Sequence, residues 1–161
     1  MIKSKFTFKA YLVIFLLVLL VVVGIVTLLY VNPKTINDLF QLEIATVLVV
    51  AFLFIALLFN ELRTKIILVE IRNDFIEKRN YMQHSKTFRF KDFDSFATSK
   101  LSSETDTFEY LYLIRANKKI IKISETYHSN YSELKQAIAK HVKCNGEVEF
   151  SFLDEIKDAF W

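Results

Sequence analysis

Two long uncharged stretches open the chain, and a series of short alternating segments follows them. From Tyr11 to Val31 there are twenty-one residues without charge, interrupted only by Gly24 and Thr27. At about 1.5 Å per residue such a run spans roughly 30 Å as a helix, the thickness of one bilayer core. A second run, Ile44 to Phe59, has sixteen uncharged residues with only Thr46 polar, and reaches spanning length by taking in Leu39, Phe40 and Leu42. Between them, Asn32-Pro33-Lys34-Thr35-Ile36-Asn37-Asp38 supplies a proline that cannot continue a helix and several side chains that favour turns. The pattern predicts a hairpin of two transmembrane helices, over about 11–31 and 39–59. The first run is longer than the apolar centre of a signal peptide. It ends in Leu28-Leu29-Tyr30-Val31-Asn32-Pro33 rather than in a small-x-small cleavage site, and is expected to persist as a helix.

Past Asn60 the period changes. Ile67, Val69 and Ile71 alternate within Thr64–Arg72 as in a strand, Asn73-Asp74 is a turn pair, and Phe75–Arg79 returns. Phe88-Arg89-Phe90 and Asp92-Phe93-Asp94-Ser95-Phe96 alternate aromatic with polar residues before a polar loop at 102–106. Phe108, Tyr110, Tyr112 and Ile114 share one face of the next strand, Ala116-Asn117-Lys118 turns the chain, and Lys119–Ser124 pairs back. The strands then stop. Asn130 with Glu133 three residues on has the form of a capping box, and Tyr131, Leu134, Ala137, Ile138, His141 and Val142 make an apolar stripe at helical spacing. The expected organisation is a tail and helical hairpin over 1–62, a mainly-β domain over 63–143 and an extension over 144–161.

Charge assigns sides to the hairpin. Of all the charged side chains, six lie in the first sixty residues: Lys3, Lys5, Lys9, Lys34, Asp38 and Glu43. Lys3, Lys5 and Lys9 precede the first helix and Arg63 and Lys65 follow the second, whereas the lone lysine of the connecting loop is offset by two carboxylates. These five flanking cations are the candidate membrane-surface contacts. They place both termini in the cytoplasm, in an inner membrane crossed twice. Gln41 and Glu43 fall at the headgroup level and no charged residue other than Glu43 lies within either span, so the usual marker of an ion path or proton relay is missing and an anchor is the simpler reading.

The same composition excludes several chemistries. Residues 61–161 carry seventeen basic and sixteen acidic side chains, without the basic excess of a nucleic-acid binder, so no nucleic-acid partner is expected. With two glycines in the chain no phosphate-cradling loop can be written. His84, His128 and His141 lack ligand-spaced partners, and Cys144 has no second sulfur, so neither a metal nor a cofactor is expected. His141 reads as a half-buried packing residue and Cys144 as a small apolar side chain near a helix end. No nucleophile elbow or acid–base pair stands out, so the chain is not read as an enzyme.

The order of hairpins then helix, with Phe90-Lys91-Asp92-Phe93 before a strand, Lys118–Ser124 as a late strand and Asn130-Tyr131-Ser132-Glu133-Leu134-Lys135 opening the helix, resembles the bacterial pleckstrin-homology-like domains over about residues 64–143. The resemblance implies an antiparallel sheet bent into a partly open barrel, closed by a C-terminal helix and carried behind two membrane helices. It also implies a binding or assembly role. Members that bind phosphoinositides carry a basic cluster in the loop of the first hairpin. Here that loop is the tight Arg72-Asn73-Asp74-Phe75 turn, and Asp74 and Glu77 separate Arg72 from Lys78 and Arg79. Specific phosphoinositide binding is therefore not expected, and these cations read as a solvated strand edge or juxtamembrane charge.

In the extension, Glu147–Phe150 alternates like a short strand, and Phe152, Leu153, Ile156 and Phe160 line one side of a closing helix that ends at Trp161. Phe152, Ile156, Phe160 and Trp161 are the candidate partner-binding residues. Loops at 102–106 and 126–129 are further candidates, because loops held on a rigid scaffold often bind. The expected function is a membrane-anchored, non-catalytic binding or assembly module at the cytoplasmic membrane face, with a protein partner or a second copy of itself. The alternative is a regulatory or pore-forming component of a small transport or channel complex.

Overall fold

The computed structural model describes residues 1–30, 38–80, 84–102 and 107–149. In chain order these form β1 (Ile2–Lys3), α1 (Phe8–Tyr30), α2 (Asp38–Thr64), β2 (Leu68–Ile71), β3 (Phe75–Arg79), β4 (Ser85–Arg89), a 3-10 turn (Phe90–Asp92), β5 (Ser95–Ser102), β6 (Thr107–Arg115), β7 (Lys118–Ser124), α3 (Tyr131–Ala139) and β8 (Cys144–Glu147).

Helices α1 and α2 are apolar all round rather than along a stripe, and both are long and apolar enough to cross a membrane. Phe15, Val18 and Ile25 of α1 and Val47, Phe52 and Leu57 of α2 are exposed on their surfaces. The threonine hydroxyl inside the first span is satisfied locally: Thr27 Oγ1 donates to the Val23 carbonyl at 2.9 Å. Helix α1 starts at Phe8, so Lys9 lies in its first turn. Helix α2 runs on to Thr64, beyond the apolar stretch, and takes Arg63 into its last turn. The strand expected from Thr64 begins only at Leu68. The reason is local: Thr64 Oγ1 donates to the Asn60 carbonyl, and the Lys65 and Ile66 amides both bond the Glu61 carbonyl. This closing turn carries Ile66 against Ala10 and Leu62 instead of into the sheet.

The β region is two open sheets, ordered β1-β2-β3-β4 and β7-β6-β5-β8, and neither closes into a barrel. All pairings are antiparallel except β8, which runs parallel to β5. The chain passes between sheets through the 3-10 turn, which interrupts the ladder and sinks Phe90 and Phe93 into the space between them. There they meet Ile67, Val69, Ile71 and Ile76 of the first sheet and Phe96, Leu111, Leu113, Ile121 and Ile123 of the second. Helix α3 covers this core with Tyr131, Leu134, Ala137 and Ile138, residues three and four apart. His141, expected among them, is instead exposed and stacks on Phe90 with ring centroids 4.5 Å apart. Cys144 is exposed at the start of β8 rather than packed beside the helix.

The first residues are not a tail. Ile2 lies opposite Ile71 and Lys3 opposite Glu70, so they add a strand to the first sheet. Two residues carry no readable alternation, and their partner lies beyond both long helices in sequence.

Between β6 and β7 the chain turns at Ala116 and Asn117, both left-handed, with φ of 48° and 60°. A two-residue hairpin requires this hand, and Asp94 Oδ2 fixes it by accepting the Ala116 amide at 2.6 Å. Asparagine tolerates the conformation; alanine is strained by its Cβ. Ala116→Gly is expected to stabilise the protein by about 0.5–1 kcal/mol. Thermal unfolding of the full chain checks this, and an unchanged or lower midpoint would refute it.

Candidate functional site

The connection from β7 to α3 is where the domain meets both long helices. His128 is 1% exposed, with Nδ1 2.9 Å from the Ser124 carbonyl and Nε2 2.8 Å from the Ile67 carbonyl. It thus ties the loop to the residue that leads α2 into β2. Its backbone bridges Phe6, whose ring lies 5.6 Å from the imidazole. On either side, the Thr7 hydroxyl donates to the Thr126 carbonyl at 2.6 Å, the Thr7 amide to the Tyr127 carbonyl at 3.0 Å, and the Ser129 amide to the Lys5 carbonyl at 2.8 Å.

Asn130 does not cap α3 with its side chain. Its Oδ1 accepts the Lys5 amide at 2.8 Å and its Nδ2 donates to the Lys3 carbonyl at 2.9 Å. The amide is therefore a clamp on the N-terminal strand, and Glu133 takes the remaining proton of the same nitrogen at 3.2 Å. Ser4 completes the attachment by exchanging bonds with Val69 at 2.8 and 2.9 Å.

On the α2 side, the Tyr127 hydroxyl donates to Glu61 Oε2 at 2.9 Å, and Lys65 pairs with the other Glu61 oxygen. Burial, then the Glu61 charge and hydrogen bond, hold the Tyr127 phenol far above its usual range, so it stays a neutral donor. Ala10, Leu62 and Ile66 are buried beneath it, with Val13, Ile14 and Leu17 packed around them. The start of α1, the end of α2 and the 126–129 loop thus make one joint. That loop is consumed in holding the helices and is not a free binding loop; of the loop at 102–106, residues 103–106 lie outside the described residues.

The five flanking cations have separate fates. Lys3 Nζ lies 3.4 Å from Glu70 Oε2, Lys9 sits 4.4 Å over the Phe108 ring, and Lys65 is held by Glu61. Lys5 is exposed, with its backbone in the joint. Arg63 is exposed on the last turn of α2. Phe152, Ile156, Phe160 and Trp161 lie outside the described residues.

Glu70 is the most enclosed carboxylate of the first sheet, at 6% exposure, and accepts Arg72 Nε at 2.8 Å. That hydrogen bond, helped by the Arg72 and Lys3 charges against desolvation, holds its pKa below the ordinary 4.5. A folded value below the unfolded one means that its stabilisation is complete above about pH 4.5 and is lost as pH falls through the folded value. Glu70→Gln is expected to flatten this acid limb. Unfolding midpoints across the acid range check it, and equal slopes in wild type and variant would refute it.

A depression of about 320 Å³ opens between β6 and α3, lined by Glu109, Glu125, Tyr131, Ser132, Lys135 and Gln136. Its charges are already engaged: Lys135 Nζ lies 2.6 Å from Glu109, and Glu125 accepts the Glu109 amide at 2.9 Å. Burial, then the two carboxylate charges, hold the Tyr131 phenol far above its usual range. A neutral phenol beside a salt-bridged carboxylate is poorly suited to proton transfer near neutrality. Among the described residues no group of histidine, cysteine and carboxylate side chains could hold a metal. No family model, curated protein or solved structure matches the chain.

Proposed function

We propose that the chain is a membrane-anchored, non-catalytic binding or assembly module that presents a pleckstrin-homology-like domain at the cytoplasmic face of the inner membrane, with both termini inside. The observation that carries this reading is the joint. His128, Asn130 and the Tyr127–Glu61 pair bind the domain to both apolar helices without an intervening linker. A domain held in this way has a fixed orientation to the helices, which suits presentation of one surface to a partner. The antiparallel hairpins β2–β3, β5–β6 and β6–β7, followed in the chain by the covering helix α3, support the pleckstrin-homology-like reading by their order, to which β8 adds a parallel strand after the helix.

Cys144 provides the test of sidedness, being the sole cysteine and exposed. A membrane-impermeant maleimide is expected to label it in inverted vesicles and not in intact cells, and the opposite result would overturn the orientation. Crosslinking of the full chain in native membranes, followed by pull-down, tests the assembly role. A stoichiometric protein partner supports it; homo-oligomers that conduct ions in bilayers would favour the transport reading.

A further inference from the structure

Strand alternation puts two lysines where the core would continue. The register aligns Ile71, Ile76 and Phe88 in one row across β2, β3 and β4, and the next row on the same face is Val69, Lys78 and Lys86. Ile71 and Ile76 are buried in the core and Phe88 packs against it, so Lys78 and Lys86 emerge from the same inner face, directly opposite one another. Like charges in that position destabilise a sheet.

Lys78 is half-buried, and its ammonium reaches across to the second sheet, donating to the Ile120 carbonyl at 3.3 Å. It therefore stands at the opening between the sheets. Burial first, and then the charges of Lys86 and Arg63, hold its pKa below the usual lysine value. Arg63 brings the third charge from the last turn of α2. Among the described residues no carboxylate lies within ion-pair distance of these three side chains, whereas Arg72 and Arg79 on the neighbouring positions each hold a glutamate. Two lysines facing one another across the β3–β4 ladder, one of them desolvated and neither held by a carboxylate, make a site incomplete without an anion.

We propose that Arg63, Lys78 and Lys86 bind the phosphate of an anionic phospholipid headgroup. Arg63 lies in the last turn of α2, four residues past the end of the uncharged run at Phe59, at the level where headgroups lie if that helix spans a bilayer, so lipid is favoured over a free phosphate. The site lies apart from the Arg72–Phe75 turn. It rests on the reading of α1 and α2 as membrane spans.

The test uses the full chain in nanodiscs of phosphatidylcholine alone, the same with phosphatidylglycerol, and phosphatidylcholine with inorganic phosphate in solution. Phosphatidylglycerol is expected to raise the unfolding midpoint of the wild type. In a phosphatidylglycerol titration, apparent affinity is expected to fall about fivefold for each of the three cations removed, as Arg63→Gln, Lys78→Gln or Lys86→Gln. Lys91→Gln and Lys140→Gln, each made singly as an equal charge change at an exposed position, are the controls. Lys78→Met is expected to raise the midpoint in phosphatidylcholine, by removing a desolvated charge, while reducing the phosphatidylglycerol increment. Equal affinity losses in the controls and the site variants would overturn the proposal as diffuse charge attraction. An equal midpoint rise with inorganic phosphate would overturn the lipid assignment. Release of the protein from native membranes by alkaline carbonate would overturn the membrane reading itself, whereas retention without a phosphatidylglycerol effect would overturn only the headgroup site.

Discussion

His128→Ala is expected to destabilise the protein by about 3–5 kcal/mol, because it removes the buried imidazole from the Ile67 carbonyl and leaves a cavity between the 124–128 turn and the start of β2. The Ser124 carbonyl keeps the Tyr127 and His128 amides at 3.2 and 3.1 Å, but the Ile67 carbonyl has the imidazole Nε2 at 2.8 Å, and at 1% exposure of that ring no solvent stands ready to replace it. The damage is expected to be regional, since the ring also lies against Phe6 at the root of α1. Thermal unfolding of the solubilised full chain measures the loss, and limited proteolysis is expected to cut first within 124–130. His128→Gln keeps a donor and is expected to recover part of the stability. A change below about 1 kcal/mol in His128→Ala would show that the joint is not held by this side chain.

The second large effect is expected at Leu134. It has no exposed surface and belongs to the same apolar cluster as both sheets, so Leu134→Ala is expected to cost about 2–5 kcal/mol. Gln136→Ala on the same helix is expected to fall within about 0.5 kcal/mol, as for a surface change away from special contacts. The pair separates the role of the apolar stripe from that of helix propensity, since both substitutions favour helix. If the two variants unfold together, the sheets do not depend on α3 for closure.

Much of this architecture is legible from alternation. The two apolar helices, the β6–β7 hairpin with its Ala116-Asn117 turn, and the stripe Tyr131, Leu134, Ala137 and Ile138 all follow from short-range periodicity, which is a property of consecutive residues. The joint is different in kind. His128 and Asn130 look like ordinary loop and cap residues until their partners, Ile67 and Lys5, are brought to them from 61 and 125 residues away. Asn130 has every local sign of a cap, but the peptide groups of the N-terminal strand compete for the same amide.

The cation mouth was hidden for a third reason. In sequence, Lys78 is one of several basic residues in a mixed-charge segment and Lys86 follows a separate turn. Only the register, which sets them opposite one another on the face of Ile76, distinguishes them from Arg79 and Arg89. Conversely, Lys3, Lys9 and Lys65 look equivalent to Arg63 as flanking charges, yet a carboxylate or an aromatic ring already engages each. A count of charges cannot show which are spent within the fold.

The clamp of Asn130 on Lys3 and Lys5 also sets an order of assembly. The strand that begins the sheet is made first and its clasp 125 residues later. At roughly 10 residues per second, that is on the order of ten seconds of synthesis during which β1 has no complete seat. Both long helices are finished within this interval, so the domain closes around helix ends already in existence. The seat of Ile2–Lys3 is therefore complete only after both long helices have been synthesised, and a bulky group fused directly before Ile2 is expected to hinder its pairing with Ile71 and Glu70.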